Sequence, residues 1–185
     1  MDEISKLMIE QLKDAYSAEK QALRGMQKMM KAATNEKLKQ GFQMHIEQTE
    51  AQIERVEQAL EKLGGKPGRK VCEAMRGLIE EANHEMGDHD KGTMMDVVLI
   101  AAAQRVEHYE IAAYGTMATL AKSAGMKELG ELLGQTLDEE KRMDAELTKI
   151  AEAEVNTAWI EEARSEADME GANENRRGGG RRKAS

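Results

Sequence analysis

Several glutamates occupy positions at which a helical pattern predicts apolar side chains. Glu110 lies within the apolar stripe of one long segment, and Glu19 lies near the centre of the stripe of another. Glu140 falls among the apolar residues of a third segment, and Glu50 lies on the flank of a fourth. Because a buried carboxylate without a partner is costly, these positions predict that cations or protons neutralise the side chains.

The two halves of the chain repeat this arrangement of acids. Superposing the segment YSAEKQALRGM on the segment EHYEIAAYGTM matches Glu19 with Glu110. Glu50 follows Glu19 by 31 residues, and Glu140 follows Glu110 by 30. Each half therefore offers one glutamate on a first predicted helix and a second glutamate on the next helix.

Two further acids extend the candidate site to six carboxylates. Glu54 and Asp144 follow Glu50 and Glu140 by four residues, a spacing that keeps side chains on one helical face. Converging carboxylates repel one another strongly unless cations or protons neutralise them. Hard carboxylate oxygens suit iron or manganese, so the pattern predicts two divalent ions of iron or manganese as cofactors.

The pattern differs at two positions from the di-iron carboxylate bundle, in which two helices supply Glu and two supply Glu-x-x-His. Ile53 and Met143 stand where the two histidines would be. Glu54 and Asp144 would then replace the imidazoles and give an oxygen-only site. His45 lies off the face of Glu50 and is interpreted as structural.

The composition of the chain favours an all-α fold. Alanine, leucine, methionine, glutamate and lysine, which are good helix formers, are abundant, and the only proline is Pro67. Runs of Val, Ile, Thr and aromatic residues that could build a sheet are absent. We expect helices over residues 2–33, from the cap at Thr34-Asn35 to Leu63, over 70–86, 94–123 and 126–153, and in VNTAWIEEARSEA.

The order of these segments predicts a four-helix bundle. Two helical hairpins are separated by one long crossover that contains a short helix, and a short C-terminal helix follows. We assign residues 1–168 to this single domain and 169–185 to a disordered Arg/Gly-rich tail, because that end of the chain is polar and rich in glycine and arginine.

The net charge of the chain limits the kinds of partner that it can bind. The net charge is −8, but residues 176–185 hold five basic groups and no acidic one, so residues 1–175 carry −13. Such a body repels nucleic acid and anionic lipid, so we expect nucleic acid to bind only through the tail, if at all. The N-terminus is acidic and no 18-residue apolar run occurs, which predicts a cytoplasmic protein without membrane contact.

Five segments in this order resemble the YciE/YciF-type ferritin-like stress-protein family of bacteria. They are LKDAYSAEKQAL, HIEQTEAQIERVEQ, CEAMRGLIEEA, LIAAAQRVEHYEIAAYGT and LDEEKRMDAELTKIAE, and the resemblance covers residues 3–157. It implies a ferritin-like bundle, a homodimer, a di-metal centre and no established reaction. Carried over by position, the ligands would be Glu19, Glu50, Glu54, Glu110, Glu140 and Asp144, with Glu107 as an additional candidate.

We therefore expect a ferritin-like di-metal carboxylate protein connected with stress. If it is an enzyme, it would be a non-haem oxidoreductase acting with peroxide or oxygen, although no residue identifies a substrate. Tyr16 and Tyr114 lie one turn from Glu19 and Glu110, and we expect them to hydrogen-bond these carboxylates. Two alternatives remain open: a non-catalytic binding or assembly protein without a functional metal site, and a cage that protects DNA through the basic tail.

Overall fold

The chain folds into helices throughout the part that the computed structural model describes, residues 2–179. No strand occurs among these residues, which confirms the predicted all-α class. The α-helices are α1 (Glu3–Ala32), α2 (Glu36–Lys62), α3 (Glu73–Asp88), α4 (Thr93–Ser123), α5 (Lys127–Ile150) and α6 (Asn156–Gly179), with a π-helical segment (Ala151–Val155) between the last two.

The helices begin and end at residues that the sequence makes suitable. The Asp2 side chain accepts a hydrogen bond from Ser5 N at 2.7 Å and so caps α1. The Asn35 side chain accepts from Leu38 N at 3.0 Å and caps α2, as predicted. Gly64 after α2 and Gly125 after α4 have φ of 71° and 76°, a left-handed conformation that glycine adopts without strain.

Four long helices form the bundle, and α3 covers one of its sides. α1 packs against α2 and α4 against α5 as two hairpins, and the contacts α2–α5 and α1–α4 close the ring. α3, in the crossover, packs on α1 and α4. α3 approaches α1 most closely where Ile79 lies against Gly25, since a Cβ atom at position 25 would lie only 2.5 Å from Ile79 Cδ1. The predicted hairpin–crossover–hairpin order is thus observed.

The apolar core has one cluster at each end of the bundle and a third where α3 covers it, and a polar level lies between the two ends. One cluster contains Phe42, Leu99 and Leu147, and another, towards the opposite end of each long helix, contains Leu12, Leu60 and Leu133. Buried polar side chains occupy the intervening turns of α1, α2, α4 and α5. The four helices therefore bring polar groups to one level of an otherwise apolar interior.

The C-terminal region differs from the predicted separate short helix. α5 continues through the π-helical segment directly into α6, which extends to Gly179, past the predicted domain boundary at residue 168. Glu154 anchors this junction, because it accepts a hydrogen bond from Asn35 Nδ2 at 2.9 Å and pairs with Lys37. Residues 180–185 of the predicted Arg/Gly-rich tail lie outside the described residues. Within the described part, none of the helices has the length and apolar character needed to cross a membrane.

Candidate metal centre

Ionisable side chains from all four long helices meet in the polar level of the bundle, and each is at most 2% exposed. One donor atom each from His45, Glu107, Glu110 and Glu140 lies within 4.8 Å of the other three. Glu19 on α1 adjoins this group closely enough for its charge to raise the pKa of Glu110. We call these five residues the carboxylate–histidine cluster: Glu19, His45, Glu107, Glu110 and Glu140.

Helical spacing explains why these side chains face inward. Glu107 and Glu110 are three residues apart on α4 and share its inner face. On α2 the buried polar positions are His45, Thr49 and Gln52, with spacings of four and three residues. Alanines one helical turn from the acids are buried as well, Ala15 and Ala22 on either side of Glu19 and Ala103 before Glu107.

Two hydrogen bonds hold carboxylates of the cluster in place. The Tyr114 hydroxyl, itself buried, donates to Glu19 Oε1. Gln52 Nε2 donates to Glu140 Oε1 at 2.5 Å. Because each bond engages only one carboxylate oxygen, the second oxygen of Glu19 and of Glu140 remains without a partner.

The imidazole of His45 is oriented with one nitrogen outward and one toward the acids. His45 Nδ1 lies 3.1 Å from Gln48 Oε1, and since an amide oxygen can only accept, Nδ1 carries the proton that is donated. His45 Nε2 lies 3.2 Å from Glu107 Oε2 and 3.2 Å from Glu140 Oε2. Neither contact meets normal hydrogen-bond geometry, so His45 Nε2, Glu107 Oε2 and Glu140 Oε2 are buried without a hydrogen-bond partner.

Burial and mutual repulsion raise the pKa of the carboxyl groups. Burial, followed by the charge of Glu140, raises the pKa of Glu19 to about 8. Burial also raises the pKa of Glu107 to about 8, although the neighbouring His45 opposes this shift. Burial and then the charge of Glu19 raise the pKa of Glu110 well above its ordinary value. Without a cation, these three acids therefore hold protons at neutral pH.

His45 is shifted toward its charged form by the same neighbours. Burial by itself lowers the pKa of an imidazole, but the charges and close contacts of Glu107 and Glu140 outweigh burial and raise the pKa of His45 well above 6.5. Protons on Glu19, Glu107, Glu110 and His45 therefore offset much of the negative charge of the metal-free cluster. A cation that displaced these protons would take the same place in the charge balance.

The donor atoms left unpartnered fit a metal ion. Buried polar groups in proteins are almost always hydrogen-bonded, so a concentration of exceptions at one place indicates an absent partner. Oxygen and imidazole nitrogen together suit iron or manganese. Their geometry and chemistry therefore fit the predicted kind of cofactor. The buried atoms without a hydrogen-bond partner are Glu19 Oε2, His45 Nε2, Gln52 Oε1, Glu107 Oε1 and Oε2, Glu110 Oε1 and Glu140 Oε2.

Four of the seven acids named from the sequence belong to the cluster, and three do not. The four are Glu19, Glu107, Glu110 and Glu140. Glu50 and Glu54, expected to face inward, are exposed instead. Asp144 is half-buried but points elsewhere, because it accepts from Gln104 Nε2 at 3.0 Å and lies 3.3 Å from His108 Nε2.

The misplacement of Glu50 and Glu54 comes from a helical register that is wrong by one residue. The offset of 91 residues that matches Glu19 with Glu110 matches Glu140 with Thr49, not with Glu50. A shift of one residue turns a side chain by 100° and carries it from the core to the surface. Glu54, four residues after Glu50 on the same face, is therefore exposed as well.

Sequence reasoning missed His45 and Gln52 and assigned Tyr114 to the wrong carboxylate. A signal for the first two existed, because His45, Thr49, Gln52 and Val56 repeat at spacings of four and three. Glu50, on the flank of the α2 stripe, was chosen as a candidate ligand because it is acidic, whereas His45 was interpreted as structural and Gln52 was not considered. Tyr114 was expected beside Glu110 on its own helix, but it bonds Glu19 across the bundle.

The helical order and the carboxylate–histidine cluster together define the ferritin-like class of four-helix bundles, and comparison with solved structures agrees. A ferritin-like, diiron-carboxylate protein from Bacillus anthracis superposes with a TM-score of 0.64 at 18% identity, covering 81% of this chain and 99% of that one. At this identity the match supports the fold alone.

Closer relatives identify the family. A family model described as a domain of unknown function, DUF892, matches residues 3–159. Protein YciF of Escherichia coli K12 is 49% identical over 157 residues, which cover 84% of this chain and 95% of YciF. The chain belongs to this family, which confirms the YciE/YciF-type resemblance.

Two solved structures support the assignment. The E. coli stress protein YciF superposes with a TM-score of 0.79 at 49% identity, covering 84% of this chain and 99% of that one. A protein from Rhodopseudomonas palustris named YcfI superposes with a TM-score of 0.76 at 40% identity, covering 80% of this chain and 94% of that one.

Proposed function

We propose that this chain is a non-haem metal-binding protein whose carboxylate–histidine cluster holds iron or manganese. The observation that carries the proposal is the group of buried donor atoms without partners, contributed by all four long helices at one level of the bundle. A merely structural polar layer would be expected to satisfy its own hydrogen bonds. The revised ligand set is Glu19, His45, Glu107, Glu110 and Glu140.

Charge balance favours two divalent ions over one. The four buried glutamates of the cluster, once ionised, carry a charge of −4. Two divalent cations balance this charge, whereas one would leave uncompensated charge in a low-dielectric interior. Glu19 supports the second position, because the Tyr114 hydroxyl holds one of its oxygens and leaves the other available.

The side chains around the ions would hold them and exclude water. Bound iron or manganese would supply redox chemistry toward peroxide or oxygen. The bond from His45 Nδ1 to Gln48 leaves Nε2 as the ligating nitrogen, a second-sphere arrangement common for metal-bound histidine. As ions bind, Glu107 and Glu110 release the protons that they carry in the metal-free protein. The apolar clusters at either end of the site keep solvent out.

We connect this chemistry with stress because one relative of known structure, YciF of E. coli, is described as a stress protein. The proposed role is removal of peroxide or oxygen, or safe binding of the metal, during stress. A cytoplasmic location and a homodimer remain predictions. Ile4 and Leu7, three residues apart on α1 and 44% and 50% exposed, support a dimer contact, and a monomeric mass by light scattering would contradict it.

Metal analysis tests the proposed function. After anaerobic loading with iron or manganese and removal of loose ions, we expect about two equivalents per chain, the occupancy of a di-metal carboxylate bundle. The variant Glu110→Gln/Glu140→Gln should lose most of this metal. The matched control is Glu50→Gln/Glu54→Gln, which removes the same charge from exposed positions on α2. Less than about one equivalent in the wild type, when a known di-iron protein loads fully, would contradict the proposal.

A further inference from the structure

A chain of hydrogen bonds connects the surface between α2 and α5 with the carboxylate–histidine cluster. At its outer end Arg55 Nη1 and Nη2 donate to the two oxygens of Glu139 at 2.8 and 3.1 Å. These two side chains are 14% and 18% exposed. Gln52 Nε2 then donates to Glu139 Oε2 at 3.0 Å and to Glu140 Oε1 at 2.5 Å. The chain therefore ends on a member of the cluster.

The acceptors in this series of hydrogen bonds fix the orientation of the Gln52 amide. Both acceptors are carboxylate oxygens, so the amide NH2 must face them, because its own oxygen would be repelled. Both hydrogens of Nε2 are thereby used, one for Glu139 and one for Glu140. Arg55 Nη1 also donates to Thr136 Oγ1 at 2.6 Å, one helical turn before Glu140. Arg55 thus also contacts the helical turn of α5 that precedes Glu140.

We propose that Gln52 is a positioning residue that orients Glu140 for metal binding, with the Arg55–Glu139 pair holding Gln52 in turn. Engaging Oε1 of Glu140 leaves Oε2, 3.2 Å from His45 Nε2, as the oxygen directed into the cluster. A lysine or arginine at position 52 could also donate, but its charge would repel the cation. Gln52 donates a hydrogen bond without bringing a charge. The positive charge of Arg55 offsets the negative charge of Glu139, which lies next to Glu140 in the sequence.

This inference rests on the proposed metal site and extends it to residues that are not ligands. Partners in the second sphere of a metal site typically contribute 10- to 100-fold in affinity. Gln52 also stands three residues after Thr49, where the di-iron bundles carry the histidine of Glu-x-x-His. In this chain, the position of that histidine ligand is occupied by Gln52, which instead donates a hydrogen bond to the proposed ligand Glu140 on α5.

The test is Co²⁺ titration of the full chain, followed by its visible absorption. Gln52→Met keeps the length of the side chain but cannot donate, and we expect it to bind Co²⁺ about 10- to 100-fold more weakly, with shifted absorption bands. The matched control is Gln43→Met, because Gln43 is on the same helix and donates to Glu47 at 2.8 Å away from the site. It should keep the wild-type affinity and spectrum.

A second variant keeps the test decisive if Gln52→Met does not fold. Arg55→Met removes the outer support of Gln52 and should weaken Co²⁺ binding in the same direction, by less. If the wild type binds Co²⁺ and a folded Gln52→Met protein shows the same affinity and bands, the positioning role is overturned while the metal site stands. If Gln52→Met does not fold, the Arg55→Met protein decides instead. Co²⁺ binding by Arg55→Met with the wild-type affinity and bands would then overturn the positioning role while the metal site stands. Absence of Co²⁺ binding by the wild type would overturn both proposals.

Discussion

At the scale of single residues, the buried acids make the stability of the metal-free protein depend on pH. The pKa values of Glu19 and Glu107 are about 8 in the folded chain, against about 4.3 in an unfolded chain. Between these values the native state holds protons that the unfolded chain has lost, so stability falls as pH rises. His45, whose pKa is raised well above 6.5, acts in the same direction.

We therefore predict that metal-free protein is more stable at pH 5.5 than at pH 8, by at least about 1.4 kcal/mol, the equivalent of one pKa unit on one group. Chemical denaturation at the two pH values measures the difference. Glu19→Gln/Glu110→Gln/Glu140→Gln should lose most of it, whereas the exposed control Glu50→Gln/Glu54→Gln should keep it. Equal pH dependence in the two variants would assign the effect to general charge repulsion.

The hydroxyl of Tyr114 gives a second prediction at this scale. Tyr114→Phe removes the one hydrogen bond that residues 2–179 provide to Glu19 Oε1 and leaves that oxygen buried without a partner among them. We expect a loss of about 1 to 3 kcal/mol in the free energy of unfolding of the metal-free protein, measured with urea at pH 7. An unchanged free energy would mean that the hydroxyl does not hold this carboxylate.

Individual residues were predictable where the apolar pattern around them was regular. Glu110 and Glu140 lie in long stripes of leucine, alanine and methionine, so their inward direction follows from helical periodicity alone. The inner face of α2 includes His45 and Gln52, whose helical spacing with Val56 is regular but whose polar side chains do not by themselves indicate burial. Their burial depends on contacts with α4 and α5, which are far away in the sequence.

At the scale of helices, capping and turn residues made most boundaries predictable. The turn between α1 and α2 begins at Thr34-Asn35, and α2 ends before Gly64, as the sequence indicated. The junction of α5 and α6 was not predictable, because the π-helical segment contains no glycine or proline to mark it. The junction is held instead by the contacts of Glu154 with Asn35 and Lys37, two residues that lie over a hundred positions earlier in the sequence.

The first turn of α4 offers a test of how the two hairpins are joined. Asp96, 3% exposed, accepts hydrogen bonds from Thr34 N at 2.7 Å and Asn35 N at 2.9 Å, so it ties α4 to the turn between α1 and α2. Asp96→Ala leaves two backbone donors without partners, and we expect it to cost about 3 kcal/mol of unfolding free energy. Asp138→Ala, at an exposed position, is the control. A cost below about 0.5 kcal/mol, the range of surface substitutions, would contradict this role.

At the scale of the whole molecule, the proposed metal centre would couple the stability of the bundle to metal binding. Metal requires deprotonated ligands, so Mn²⁺ should stabilise the protein more at pH 8 than at pH 5.5. At 100 times its dissociation constant, one ion contributes about 2.7 kcal/mol. Thermal unfolding with and without Mn²⁺ measures the effect. Equal stabilisation of the wild type and of Glu19→Gln/Glu110→Gln/Glu140→Gln would place the metal elsewhere.

The most direct test of the metal centre is anomalous scattering from a crystal of protein loaded with iron or manganese, with data collected on both sides of the absorption edge. We predict two peaks between the four long helices, at bonding distance from His45 Nε2 and from oxygens of Glu19, Glu107, Glu110 and Glu140. Peaks only at surface acids, or no peak in a crystal whose solution shows bound metal, would contradict this prediction.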